Sequence, residues 1–138
     1  MTAITPWRYH LVISLLVTGC ALKQSAPAPV VEVRTILDAS ETGQAQRLFQ
    51  LGLQQYDQGQ YKKASVALQQ AIDTGLTSTK QATAHKHLAF IYCVSNRESQ
   101  CRTEFTKALA VDPSFELAPA EAGHPQWGPV FRSVKTGR

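Results

Sequence analysis

Two stretches of the chain, residues 45–76 and 82–113, share a pattern that limits what the chain can fold into. In each stretch, apolar residues recur every three or four positions, a polar break interrupts them, and the same spacing then resumes. This periodicity is typical of two amphipathic helices joined by a short turn. Aligning Ala64 with Cys101 superposes the two stretches at an offset of 37 residues. The sequence therefore predicts a repeated helical hairpin.

Small residues fall where the two helices of each predicted hairpin cross. They are Gly52 and Ala64 in the first hairpin, and Ala89 and Cys101 in the second. Larger apolar residues beside them are predicted to fill the adjoining layer of the core: Leu51, Leu68, Leu88 and Phe105. Because helices approach closely only across small side chains, we expect Gly52→Leu to overpack the first crossing and to cost about 1–3 kcal/mol.

The second stretch carries the residues of a known repeat pattern, which are Leu88, Ala89, Tyr92, Phe105, Ala108 and Pro113. This pattern resembles that of the tetratricopeptide repeat (TPR) family. The second stretch departs from it at three positions, with His85 in the bulky opening slot, Asn96 for the turn glycine and Cys101 for the small inter-helix residue. The first stretch keeps Gly59, Tyr61 and Ala64, but it has Gln55 where tyrosine is usual and lacks the closing proline.

The resemblance implies an all-α fold with two TPR-like hairpins, residues 45–78 and 82–115, in a short right-handed solenoid. The end of such a stack needs a cap, because each hairpin exposes an apolar face to its next neighbour. Residues 116–138 are predicted to supply it. One helical face there carries Trp127, Val130, Phe131 and Val134. The alternative is that this face binds a partner.

The first 19 residues have the features of a secretory signal peptide. Arg8 precedes the apolar run Leu11–Val17, which is shorter than the roughly 20 residues that a membrane-spanning helix needs. The sequence Val17–Cys20 resembles the lipobox of bacterial lipoproteins, which implies cleavage before Cys20 and lipidation of its thiol. Ala21 after the cysteine favours the outer membrane by the same resemblance. The alternative is a secreted protein with a coincidental cysteine.

Residues 20–42 are predicted to be the lipidated cysteine and a spacer, followed by a helical domain over residues 43–138. Pro27 and Pro29 alternate with small and apolar residues, which favours an extended, poorly packed segment. A short strand at residues 30–33, added to the edge of a partner sheet, is the alternative.

Cys93 and Cys101 form the pair that remains once Cys20 is lipidated. The periplasm is oxidising, so we expect a disulfide across the turn of the second hairpin. Two free, buried cysteines are the alternative. Their spacing is not Cys-x-x-Cys, which argues against a redox role. A zinc ion bound by both cysteines and a histidine is the least favoured interpretation.

Neither the charge pattern nor the motifs suggest nucleic-acid binding or catalysis. The 14 basic and 10 acidic residues give a net charge of +4, and the basic residues are scattered apart from Lys62 and Lys63. His85 and His87 point to different sides of a helix, so they do not form a metal-binding pair. We find no Ser/His/acid set and no Gly-rich phosphate loop. We therefore expect no enzyme activity, no cofactor and no metal site.

A protein-binding groove is the site that remains. In TPR proteins the first helix of each repeat lines a concave groove, and the resemblance transfers this role to Phe49, Gln50, Leu53, Tyr56, Lys86, His87 and Phe90. Aromatic residues beside a basic one suit a peptide segment. The alternative is that Phe49 and Phe90 pack between the repeats.

The sequence thus predicts a periplasmic adaptor, anchored to the outer membrane by lipid, that binds an envelope protein or peptide. The build resembles that of accessory lipoproteins of envelope machines, with type VI secretion as the first choice. One alternative is a pilotin-like assembly factor for a pilus or secretin. Another is a cell-wall-associated lipoprotein that binds peptidoglycan through Tyr56, Tyr92 and Trp127.

Overall fold

A computed structural model describes the backbone of residues 30–137 and the side chains of residues 42–137. This part of the chain contains six helices and no strand, so it is all-α, as the sequence predicts. The helices are α1 (Val30–Asp57), α2 (Tyr61–Gly75), α3 (Ser78–Val94), α4 (Glu98–Val111), α5 (Pro119–Ala122) and α6 (Gly128–Thr136). None of the helices in this region has the length and hydropathy needed to cross a bilayer. The predicted signal peptide and Cys20 lie outside the described residues.

Helix α1 begins well before the first predicted hairpin. It starts at Val30, so residues 30–42, predicted to be an extended spacer or in part a strand, are helical. The prolines suggested an extended chain, yet both of them precede Val30. From there to Thr42 the sequence has neither glycine nor proline, and nothing in it stops a helix from continuing.

The turns of the two hairpins have the same backbone geometry. Gly59 and Asn96, which are 37 residues apart, both take left-handed conformations with φ of 70° and 58°. Glycine adopts this conformation freely, and asparagine tolerates it better than most residues. Equivalent amides then close both turns in a Schellman-type arrangement, Gln60 donating to the Gln55 carbonyl at 2.8 Å and Arg97 to the Tyr92 carbonyl at 2.9 Å. The repeat is therefore present in the hydrogen bonding as well as in the sequence.

The small residues lie at the helix crossings, as predicted. Ala64, Ala89 and Cys101 are fully buried, and Gly52 is buried in α1. A Cβ atom added to Gly52 would lie 2.7 Å from Cγ of Leu68 on α2, so a glycine is what allows these two helices to come this close.

The prediction that Leu51 lies in the core is wrong. Its side chain is 44% exposed, whereas Leu88, its equivalent in the second hairpin, is 1% exposed. Leu88 packs into a cluster that includes Ala64, Leu68 and other residues of the first hairpin. Leu51 lies on the surface of α1 where a preceding hairpin would stack. No described residue buries Leu51 as the first hairpin buries Leu88.

The core has two parts. The first joins α1, α2 and α3 through Phe49, Ala64, Leu68, Ala71, Ala84, Leu88 and Ile91. The second joins α3 and α4 to the C-terminal segment. It contains Ala89, Phe90, Cys93, Cys101, Phe105, Leu109, Leu117, Val130 and Phe131, with Trp127 and Val134 packed against it. The four residues predicted to share one face of the tail are thus in this cluster or against it, and α6 packs on α4.

Candidate functional site

The seven predicted groove residues lie on α1 and α3, which contact each other. Phe49 and Phe90 are buried at 7% and 2% exposure. Phe49 packs in the cluster that joins the two hairpins, as in the alternative, whereas Phe90 packs between the second hairpin and the C-terminal segment. Gln50 is exposed, and four residues are half-buried: Leu53, Tyr56, Lys86 and His87. The polar and aromatic edge of the predicted groove is therefore accessible, while its phenylalanines belong to the core.

The chain's own C-terminal segment covers the α3 half of this face. Nζ of Lys86 lies 2.5 Å from Oε1 of Glu121, and the ring of Trp127 stacks on that of Phe90 with centroids 4.3 Å apart. The Trp127 indole N–H donates to the Glu121 carbonyl at 2.9 Å, which fixes the ring relative to α5. Two of the predicted groove residues thus bind residues of the same chain.

Glu121 has two roles in this contact. Its carboxylate accepts hydrogen bonds from Lys86 and from the backbone amide of Ala118, at the start of α5. Burial alone would raise the pKa of Glu121, but these hydrogen bonds and the Lys86 charge outweigh burial and lower it. The Glu121 carboxylate is therefore ionised at neutral pH, as an ion pair requires.

Six aromatic rings follow one another from the start of α2 across α1 and α3 to the C-terminal segment: Tyr61, Tyr56, His87, Phe90, Trp127 and His124. Neighbouring centroids along this aromatic row are 3.3 to 6.0 Å apart. The Tyr56–Tyr61 pair, at 5.5 Å, lies in the range in which aromatic pairs add about 0.5–1.5 kcal/mol beyond their area burial. The row connects the open α1 part of the face to the covered α3 part.

The two polar rings in the middle of the row are neutral at pH 7. Nδ1 of His87 lies 2.8 Å from the Thr83 carbonyl oxygen, which can only accept, so Nδ1 carries the proton. Burial lowers the pKa of His87. Burial, together with the neighbouring Tyr61 and acidic groups, raises the pKa of Tyr56 to about 12. At this point the face therefore offers a neutral imidazole and a phenol to a ligand.

The three aromatic residues proposed for glycan binding do not form one open platform. Both faces of Trp127 are covered, one by Phe90 and the other by His124, whose ring stacks on it at 3.3 Å. The Arg97 guanidinium lies 4.6 Å from the centroid of the Tyr92 ring. Sugars bind to free aromatic faces, so this arrangement counts against Trp127 as a glycan-stacking residue.

Cys93 and Cys101 are joined by a disulfide in the structure, with a Cα–Cα distance of 5.3 Å. This separation lies within the usual range for disulfides. Cys93 is near the end of α3 and Cys101 in the first turn of α4, so the bond closes the second hairpin beside its turn.

A buried hydrogen bond between side chains, not anticipated from the sequence, joins α3 to α4. Nδ1 of His85 lies 2.7 Å from Oε2 of Glu104, and Nζ of Lys107 lies 2.7 Å from Oε1 of the same carboxylate. Burial would raise the pKa of Glu104, but its hydrogen bonds to His85 and Lys107 lower it. His85 is thus a buried polar side chain whose hydrogen-bonding partner is Glu104.

Among residues 42–137, no three His, Cys, Asp or Glu side chains lie close enough together to hold a metal ion. Comparisons of the chain with protein-family models, with curated proteins and with solved structures find no match.

Proposed function

We propose that this protein is a lipoprotein of the bacterial envelope that acts as an adaptor by binding a segment of another protein. In this proposal Cys20 carries the lipid and holds the chain on the periplasmic side of the outer membrane. Residues 43–138 form two TPR-like hairpins in a short right-handed solenoid, with α6 as its cap. The two equivalent turns, the small residues at both crossings and the packing of α6 on α4 support this architecture.

The observation that carries the binding proposal is how the α3 half of the face holds residues 118–127. A short stretch of polypeptide is held there by one ion pair and one stacked aromatic pair, and the Trp127–Glu121 hydrogen bond fixes the conformation of the stretch itself. On α3 the two contacts are made by Lys86 and Phe90, which the TPR resemblance assigns to the groove.

The α1 half of the face is where a partner segment would bind. Gln50 is exposed, Leu53 and Tyr56 are half-buried, and the His87 ring continues the aromatic row from Tyr56 towards the covered half. A bound segment would meet an apolar and aromatic surface with hydrogen-bonding groups along one edge. Such a surface suits an extended or helical segment with an aromatic or aliphatic anchor.

Type VI secretion is the machine that we propose first, on the resemblance of the lipoprotein build alone. A pilotin-like role in assembling a pilus or secretin is the alternative within the same class of function. Both are protein-binding roles, so the same experiment addresses them.

Photocrosslinking in cells tests the adaptor proposal. A photoreactive residue replaces Gln50 on the open half of the face, and a matched control replaces Ala110, which is exposed on α4. We expect discrete protein adducts from position 50, identified by mass spectrometry as subunits of one envelope machine, and none of them from position 110. Equal adducts from both positions would contradict binding at this face.

Two further measurements test the anchor and the competing function. Cys20→Ser should move the protein out of the membrane fraction, and its persistence there with an unmodified mass would refute the lipid anchor. Retention of the purified chain on bare peptidoglycan, with no partner protein present, would favour the cell-wall function over the adaptor.

A further inference from the structure

The large apolar side chains that are most exposed among residues 42–137 lie together around the first turns of α2. They are Leu51, Tyr61 and Val66, which are 44%, 39% and 54% exposed. Leu51 and Val66 line one cleft between α1 and α2, and Tyr61 and Val66 line another between α2 and the α3–α4 turn. We call this region, with Lys62, Lys63 and Arg97, the α2 surface.

Three adjoining clefts make up the α2 surface, and Lys62 lines all of them. The cleft between α1 and α2 has a volume of about 380 Å³, and the cleft beside the α3–α4 turn has a volume of about 500 Å³. The third lies at the α1–α2 turn, over residues 59–63. Among the residues that the structure describes, no acidic one lines any of the three clefts.

The cations of the α2 surface have no carboxylate partner among the side chains of residues 42–137. No described Asp or Glu oxygen lies within 4 Å of the charged nitrogens of Lys62, Lys63 or Arg97, and the Arg97 guanidinium lies over the Tyr92 ring instead. Elsewhere in the described region, four basic residues are paired with a carboxylate, and three are not; the paired residues are Lys86, Arg102, Lys107 and Lys135, and the others are Arg47, Lys80 and Arg132. The α2 surface is thus the place where three cations without a carboxylate within 4 Å adjoin exposed apolar side chains.

The second hairpin indicates what shape of partner this surface fits. Leu88 is the equivalent of Leu51, and it is buried because it packs against the first hairpin. Leu51 thus belongs to the surface by which one hairpin of this chain stacks on the preceding one. A helix that lies on Leu51 would repeat, at that residue, the contact that Leu88 already makes. Val66 lies beside it and extends the apolar surface, although its equivalent Thr103 is exposed in the second hairpin.

We propose that the α2 surface binds an acidic amphipathic helix of a partner protein. The apolar residues of that helix enter the clefts beside Leu51 and Val66, and its carboxylates reach Lys62, Lys63 and Arg97. Apolar burial supplies the affinity, at about 25 cal/mol per Å², and the charges set the orientation and the choice of partner. Clefts favour a helix over a bilayer, since inserted side chains can fill recesses that a flat membrane surface leaves empty. This inference rests on the proposed protein-binding function but uses a different surface from the α1 half of the groove.

A selection from a library of short displayed peptides, with the purified full chain as bait, tests the proposal. We expect the enriched peptides to combine Asp or Glu with apolar residues at helical spacing, and their affinity to fall as salt is raised. By fluorescence anisotropy, Lys62→Glu should weaken the binding of these peptides about tenfold, because one attractive pair becomes a repulsive one.

Lys80→Glu is the matched control for this charge reversal. Lys80 lies in the first turn of α3 as Lys62 lies in the first turn of α2, so both variants change the net charge and the helix N-terminus in the same way. Lys80 lines none of the three clefts. Its variant should bind the enriched peptides as tightly as the unsubstituted chain does.

Each other outcome overturns the proposal. Enriched peptides without acidic residues, or equal binding to Lys62→Glu, would exclude the α2 surface as their site. Binding to phosphatidylglycerol vesicles that depends on Lys62, with no peptide enriched, would assign the surface to a membrane. A dimer in sedimentation that Val66→Asp abolishes would assign it to a second copy of the chain. Crosslinks from position 50 would leave the adaptor proposal standing in any of these cases, so the two proposals fail separately.

Discussion

Replacing Gly52 with alanine tests the close contact between α1 and α2. In a helix interior, glycine to alanine ordinarily stabilises by about 1 kcal/mol, because alanine has the higher helix propensity. At Gly52 the added Cβ would lie 2.7 Å from Cγ and 2.8 Å from Cδ2 of Leu68, whose side chain is fully buried in the core. Overpacking of this kind costs about 1–3 kcal/mol. We therefore expect Gly52→Ala to lower the free energy of unfolding by about 1 kcal/mol.

Gly43→Ala is the control, because Gly43 lies in the same helix. Among the described side chains, a Cβ atom there would meet only the Arg47 guanidinium, at an ordinary contact distance of 3.5 Å. We expect this variant to gain the helix propensity without the clash, and so to be more stable than the parent. Urea unfolding followed by circular dichroism measures both variants, and the difference between them isolates the steric term.

A double-mutant cycle with Leu68→Ala identifies the contact itself. Leu68→Ala alone should cost about 2–5 kcal/mol, since it leaves a cavity in the core. In that background, Gly52→Ala should lose most of its penalty, although its Cβ would still lie 3.2 Å from the Leu68 backbone nitrogen. If Gly52→Ala stabilises the parent chain as much as Gly43→Ala does, the close approach of α1 and α2 is refuted.

Three further predictions concern the second hairpin and helix α6, which packs on it. Reducing the disulfide between Cys93 and Cys101 should lower the free energy of unfolding by about 2–3 kcal/mol, which is the loop-closure value for so short a loop. A Cys93→Ala/Cys101→Ala variant should not respond to reductant, and any response would contradict the assignment of the disulfide. The lowered pKa of Glu104 means that the unfolded chain binds a proton more readily than the folded one. The stabilisation that the ionised Glu104 carboxylate gives the folded state is thus fully present above the unfolded pKa of about 4.3, and it is lost as the pH falls through the lower folded pKa. Glu104→Gln should therefore flatten the dependence of Tm on pH in that acidic range. An unchanged slope would count against the hydrogen bond between Glu104 and His85. Phe131→Ala should cost about 3–5 kcal/mol in urea unfolding, because the ring is buried and packs edge-on against Phe105 at 5.1 Å, whereas a loss below 1 kcal/mol would mean that α6 contributes little to the fold.

Local sequence signals were sufficient to predict the two hairpins. Apolar spacing reports which side of a helix faces the core, and a turn depends on a few neighbouring residues, so both can be inferred without knowing the rest of the fold. Asn96 is an example. It stands 37 residues after Gly59 and adopts the same left-handed conformation, as its place in the pattern implies.

The same signals could not assign the surroundings of a residue. Leu51 and Leu88 occupy the same position in the pattern, yet only Leu88 has a hairpin packed against it. Lys86 fits a groove position, but its charge is paired with Glu121, which lies 35 residues further along the chain. Contacts at such separations depend on how complete elements pack, and the periodicity of a single element contains no information about them.

The sequence by itself determined the all-α character of the described chain, the two hairpins and the small residues where their helices cross, because these follow from short-range spacing and side-chain size. The tertiary structure decided which apolar residues are buried, what covers the α3 half of the predicted groove and where cations without a carboxylate partner adjoin exposed apolar surface. These features depend on contacts between residues far apart in the chain, and those contacts form only when the helices are packed together.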